Sequence, residues 1–147
     1  MYTYHTGMKY YDFEVRITYS ETDRMGVIYY ANYLVFYERG RTEFLRSLGL
    51  RYRDLEEKEQ IYLPAADAYV EYLHPGRYDD LIRVRTFISH MGGAHITFRY
   101  EITLVENGQV IATGSSKHAV VNRSWRPTRI PLSLRKLLEP HVENKSE

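Results

Sequence analysis

The sequence predicts an α+β fold in which a curved antiparallel sheet of about five strands wraps around one long central helix. Three observations predict it. Several segments alternate apolar and polar residues with the period of a half-buried strand. One segment carries apolar residues at helical spacing, and two glycine turns, Gly92-Gly93 and Asn107-Gly108, separate the later alternating stretches.

Taken in order, Tyr11 to Tyr19 opens the chain as a strand. Phe13, Val15, Ile17 and Tyr19 take one face, and Glu14, Arg16 and Thr18 the other. Ser20 to Gly26 breaks this pattern with turn-forming residues. The helix follows, from Asn32 as N-cap to Gly49 as the residue just past its end. Tyr33, Phe36, Tyr37, Gly40, Phe44 and Leu48 form its apolar stripe. Sixteen helical residues span roughly 24 Å. A glycine inside that stripe costs about 1 kcal/mol relative to alanine, and close approach of a neighbouring backbone is the expected compensation. A short helical piece is expected at Tyr52 to Lys58. The rest reads as strands: Ile61 to Leu73, ended by His74-Pro75-Gly76, then Leu81 to His90, Ala94 to Val105 and Gln109 to Asn122, as a four-strand meander. Residues 131–147 read as a short C-terminal helix and tail. With no repeat, linker or low-complexity tract, residues 1–147 are expected to form a single domain. Open sheet edges in such a fold are commonly paired with a second copy of the chain.

Composition narrows the function. Twenty basic and nineteen acidic side chains give a formal net charge of +1, which speaks against a phosphate-neutralising nucleic-acid binder. The chain has no cysteine, so disulfides, thiol nucleophiles and thiolate metal sites are excluded. No apolar run approaches a membrane span, and the first thirteen residues lack the apolar core of a signal peptide; a cytoplasmic protein is expected. Fifteen tyrosines against five phenylalanines, with arginine outnumbering lysine, favour an oligomer or a ligand binder.

Asp23 stands between the first strand and the helix. A carboxylate there suits a general base or a nucleophile toward an activated acyl group. The unsatisfied N–H groups at the helix start near Tyr30 suit an oxyanion. Together they suffice for acyl transfer from a thioester. On spacing alone Asp23 also fits a turn residue, and Asp67, Asp79 and Asp80 have similar credentials.

The whole string distinguishes Asp23 from the others. Thr18 to Tyr33, with Thr22-Asp23-Arg24-Met25-Gly26-Val27-Ile28-Tyr29 at its centre, continues into Phe36-Tyr37-Glu38-Arg39-Gly40-Arg41-Thr42-Glu43. It resembles the signature of the hotdog-fold acyl-CoA thioesterases of the 4-hydroxybenzoyl-CoA thioesterase type, especially the Tol–Pal-associated branch. Val121-Asn122, Arg126-Pro127 and Arg129-Ile130-Pro131 resemble that branch's last strand and its exit. The resemblance implies hydrolysis of an acyl-CoA, with Asp23 as the catalytic carboxylate, either nucleophile or base. It implies that the backbone N–H near Tyr30 polarises the thioester carbonyl and that Tyr19 lies close by. It further implies a dimer, or a tetramer of dimers, with active sites between subunits, coenzyme A across the interface, and no metal or cofactor. Many members of the branch have histidine where this chain has Tyr30. A phenol, with its pKa of about 10, replaces an imidazole only in part, so the main-chain donor is its principal role.

Among other candidates, Tyr29, Tyr30, Tyr33 and Tyr37 suit an acyl or aryl pocket, with Tyr33 and Tyr37 mainly packing. Lys117, Arg123, Arg126 and Arg129 are the densest basic cluster to meet the coenzyme A phosphates, with Arg123 and Arg126 foremost. The six histidines show no metal-ligand spacing; His90 and His95 flank a turn, and His118 reads as a structural residue. A non-catalytic hotdog module binding acyl-CoA or an acyl carrier is the principal alternative function. A hydratase lacks a histidine beside the helix start, and single-stranded RNA binding sits poorly with the near-zero net charge.

Overall fold

A computed structural model describes residues 8–143. The reading of residues 1–13 as free of a signal peptide, and of the chain end as a tail, therefore falls partly outside the described residues. Five strands, β1 (Tyr10–Arg16), β2 (Ala65–Tyr72), β3 (Leu81–Met91), β4 (His95–Leu104) and β5 (Val110–Ala119), form one antiparallel sheet in the order β1-β3-β4-β5-β2. Helix α1 (Asn32–Ser47) lies on one face; α2 (Tyr52–Asp54) runs into a π-turn at Leu55–Glu59, and α3 (Leu132–Leu138) follows the sheet.

Alternation sorts the two faces as the sequence predicts. Ile82, Val84, Thr86 and Ile88 of β3 are buried with Ile96, Phe98, Tyr100 and Ile102 of β4. They meet Tyr33, Phe36, Tyr37, Phe44 and Leu45 of α1. Gly49 takes a left-handed φ of 90°, the conformation that ends a helix. The Asn107-Gly108 turn closes with Gly108 at φ 75° and the Asn107 side chain accepting the Gln109 N–H.

Gly40 is compensated by α1 pressing onto β3, although what approaches it is β3 side chains and not the expected backbone. A Cβ there would stand 2.6 Å from Thr86 Oγ1 and 2.9 Å from Val84 Cγ1, both on fully buried residues. Gly40→Val is expected to lower stability by about 1–3 kcal/mol despite removing a helix glycine. An unshifted denaturant midpoint would contradict this contact.

Two expectations are corrected. The first strand stops at Arg16, and Tyr19 belongs to a 3₁₀ turn, Tyr19–Glu21, with its ring 80 % exposed. The last four strands do not form a continuous meander. β2 pairs with β5 at the far edge, and only β3, β4 and β5 follow one another. The reason lies in the connection after β2, which is bonded elsewhere instead of folding back as a hairpin. The Ile28 N–H donates to Gly76 O (2.8 Å), Asp79 N–H to Ile17 O (2.9 Å) and Ile17 N–H to Asp80 O (2.9 Å). The crossing carries residues 73–80 past the start of α1.

A chain of hydrogen bonds runs through the core beneath α1. Arg41 donates from Nε to the Tyr52 hydroxyl (2.9 Å) and from Nη1 to that of Tyr100 (3.0 Å). The Tyr100 and Ser116 hydroxyls lie 2.6 Å apart, and Ser116 Oγ is 2.8 Å from His118 Nε2. His118 Nδ1 reaches Leu63 O at 3.0 Å. A carbonyl only accepts, so Nδ1 carries the proton and Nε2 accepts from Ser116; every bond then points the same way. Burial, with the Arg41 cation nearby, pushes the His118 imidazole down to about 4.

Candidate active site

The turn between β1 and α1 is built around Asp23. Its N–H donates to Val27 O (2.8 Å), and its O accepts the Gly26 N–H (3.0 Å), with Gly26 at φ 82°. The carboxylate Oδ1 accepts the Met25 N–H at 2.8 Å and the Val27 N–H at 3.4 Å. Asp23 is thus a turn residue, as its spacing allows, yet Oδ2 has no hydrogen-bond partner among the described residues. The side chain is half-buried and faces a cleft of about 350 Å³.

The opposite wall is the start of α1. Ala31, not Asn32, is the N-cap; Asn32 is the first helical residue, and its side chain donates to Glu21 O (2.9 Å), tying helix to turn. The Tyr29 N–H is taken by Glu21 O, and those of Asn32 and Tyr33 by the carbonyls of Tyr29 and Tyr30. The Tyr30 and Ala31 N–H groups have no acceptor among the described residues. Two free donors at a helix start are an electropositive point suited to a developing oxyanion.

Asp23, Tyr30 and Tyr33 share this cleft with Met25, Ile28, Tyr72 and His74. The Tyr30 ring is 62 % exposed, whereas Tyr33 is buried and meets the Tyr72 ring edge-on at 5.0 Å. Burial pushes the Tyr33 and Tyr72 phenols upward, so both stay protonated near neutral pH. Tyr72 donates from its hydroxyl to Tyr30 O (3.0 Å), holding the segment that carries the free N–H groups. Sequence reasoning missed Tyr72 and His74, which it took as strand and strand terminator. Their place depends on the crossing after β2, and no local pattern signals it.

Other expected site residues lie apart within this chain. Tyr29 does not line the cleft, but its ring packs on that of Tyr30 with centroids 4.9 Å apart. Tyr19 faces Tyr78 instead (6.0 Å, edge-on). Arg123 and Arg126 follow β5 at its Ala119 end, whereas the cleft lies where Ala112 pairs with Tyr72. At about 3.3 Å per strand residue that separation is roughly 25 Å or more. His90 and His95 flank the β3–β4 turn with rings 5.3 Å apart, and no group of three or more potential metal ligands occurs among the described residues. No helix among the described residues is long and apolar enough to cross a membrane.

Comparison with known proteins agrees with this architecture. The family model described as Thioesterase-like superfamily matches residues 17–138. An acyl-CoA thioesterase, YbgC, of Haemophilus influenzae is 35 % identical over 122 residues, covering 82 % of this chain and 88 % of its own. A putative acyl-CoA thioesterase, YneP, of Bacillus subtilis is 35 % identical over 115 residues, covering 78 % and 82 %. Among solved structures, a DHNA-CoA thioesterase of Staphylococcus aureus superposes with a TM-score of 0.82 at 30 % identity, covering 91 % of this chain and 89 % of its own. With its five-stranded antiparallel sheet packed on α1 and these relatives, the chain belongs to the thioesterase-like superfamily and has the hotdog fold.

Proposed function

We propose that this protein is an acyl-CoA thioesterase, hydrolysing a thioester to a free carboxylic acid and coenzyme A. The observation that carries the reading is one cleft lined by Asp23 and Tyr30, in which, among the described residues, the carboxylate keeps a free oxygen and the Tyr30 N–H and that of the adjoining Ala31 at the helix start have no acceptor. The thioester carbonyl oxygen would accept from Tyr30 and Ala31, which favours the charge that develops as the carbonyl carbon is attacked. As a base, Asp23 takes a proton from the attacking water. The tetrahedral oxyanion then collapses, the C–S bond breaks with its electron pair on sulfur, and the proton passes on to the thiolate. As a nucleophile, Asp23 forms a mixed anhydride with release of the thiolate, and water then cleaves the anhydride. Neither course uses a metal or cofactor. The named activities of the Haemophilus and Bacillus relatives support the substrate class, and Thr22 to Tyr29 supports the Tol–Pal-associated branch.

The assembly we favour is a homodimer or a tetramer of dimers, built from residues 1–147 as one domain and located in the cytoplasm, where acyl-CoA is found. Support comes from β2, whose residues are exposed apart from half-buried Val70 and whose outer edge is unpaired among the described residues. Tyr69 and Tyr72 on that strand, with Leu34 and Val35 on α1, leave apolar surface that a second copy would cover.

The test is release of free thiol from a panel of acyl-CoAs. Turnover of at least one supports the enzyme; saturable binding with no turnover of any favours the non-catalytic module. Tyr72→Phe, which removes the bond to Tyr30 O, is expected to lower kcat about 2–10-fold, the worth of one net hydrogen bond. An unchanged kcat would remove Tyr72 from the supporting cast.

A further inference from the structure

Among the described residues that line the cleft beside Asp23, the side chains able to carry a proton are Asp23, Tyr30, Tyr33, Tyr72 and His74. Phenols keep their protons near neutral pH, and burial pushes those of Tyr33 and Tyr72 further up. The Tyr72 hydroxyl is in any case committed to Tyr30 O. An imidazole is the one side chain that both gives and takes a proton near neutrality, and His74 brings one into this cleft. Its ring is half-buried. The imidazole hydrogen bonds among the described residues belong to His118 and His141, so the ring nitrogens of His74 are uncommitted there.

The backbone that carries His74 is tied to the Asp23 turn. Leu73 and His74 both donate their N–H groups to Ile111 O (2.9 and 3.2 Å), and Pro75 holds the residue before it extended. Two residues on, Gly76 O accepts the Ile28 N–H (2.8 Å), and a Cβ on Gly76 would stand 2.6 Å from Ile28 Cδ1. Ile28 follows Val27, whose O and N–H engage the main chain and the carboxylate of Asp23. One run of main-chain bonds therefore places both residues, although they lie far apart in sequence.

Hydrolysis of a thioester takes one proton from water and delivers one to sulfur. Asp23 suits the first task, and as an acylated nucleophile it can perform neither. We propose that His74 is a catalytic residue of this cleft, the general acid that protonates the departing sulfur; this rests on the thioesterase reading above. With Asp23 as base, the His74 imidazolium gives its proton to sulfur as the C–S bond breaks and its electron pair leaves with sulfur. The proton that Asp23 took from water then returns to the imidazole, restoring both groups. With Asp23 as nucleophile, His74 protonates sulfur as the anhydride forms. The neutral imidazole then takes a proton from the water that opens the anhydride.

The test compares wild type with His74→Gln on two thioesters of one acyl group, the coenzyme A thioester and the S-phenyl thioester. An alkyl thiolate is a strong enough base to profit from protonation as it leaves, whereas thiophenolate departs without a proton. His74→Gln is expected to lower kcat/KM for the acyl-CoA about 10–100-fold, reaching the low end of a positioned acid's usual contribution, and for the S-phenyl thioester by less than about twofold. Retained cleavage of the S-phenyl thioester also shows that the variant is folded. Equal losses on the two substrates would make His74 a structural residue and overturn the proposal, as would an unchanged kcat/KM for the acyl-CoA. Wild type that cleaves no acyl-CoA would remove the hydrolase reading and this role with it, whereas cleavage by wild type without a loss selective for the leaving group removes His74 alone.

Discussion

Asp23→Asn is expected to lower kcat for acyl-CoA hydrolysis by about 10²–10⁴-fold, the usual contribution of a positioned acid–base group, with the fold intact. The substitution is nearly isosteric, and the amide oxygen can still accept the Met25 and Val27 N–H groups that Oδ1 now holds. The turn should therefore survive, so the loss reports chemistry. What disappears is the free carboxylate oxygen that the proposed mechanism uses to take a proton from water or to attack the carbonyl carbon. Thiol release, with far-UV circular dichroism of both proteins, measures it. A variant retaining full activity would move the chemistry off this residue even with the fold correct.

The second large effect concerns pH and the core. Folding holds the His118 imidazole at about 4, below the ordinary value near 6.5. Between those values the unfolded chain binds a proton that the folded chain refuses. Stability is therefore fully present above pH 6.5 and falls as pH drops toward 4, by about 3 kcal/mol in all at about 1.36 kcal/mol per unit. Protonating Nε2 would turn Ser116 from donor to acceptor there, break the one-way run of bonds from Arg41, and place a buried cation near the half-buried one of Arg41. Urea midpoints at pH 7 and pH 4.5 should separate more in the wild type than in His118→Gln, whose amide does not titrate. Equal pH dependence in the two proteins would refute the assignment.

How much of this was legible beforehand differs by element. The end of α1 at Gly49 and its apolar stripe, the close packing at Gly40, the two glycine turns and the buried face of β3 follow from patterns a few residues long. Asp23 stands out only through the resemblance of the string around it to a family signature, since a strand, a tight turn and a helix start by themselves fit a turn residue as well. His118 was read as structural, and it is, although its partners Arg41, Tyr100 and Ser116 come from three separate elements. Tyr19 was misplaced because its alternation with Ile17 continues past the point where the backbone leaves the sheet. Arg123 and Arg126 were grouped by chain proximity, which says nothing of their distance from the cleft of their own chain.

By itself, then, the sequence determined the kinds of element and their faces. These depend on side-chain periodicity and turn chemistry, which neighbouring residues settle among themselves. Tertiary structure alone decided that β2 lies at the far edge beside β5, that its last residue, Tyr72, and His74 just after it reach the start of α1, and that Arg41 is bonded through to His118. Pairing between segments some 45 residues apart, as in β2 with β5, is settled by the combined burial and hydrogen bonding of whole faces, which no short stretch of sequence contains.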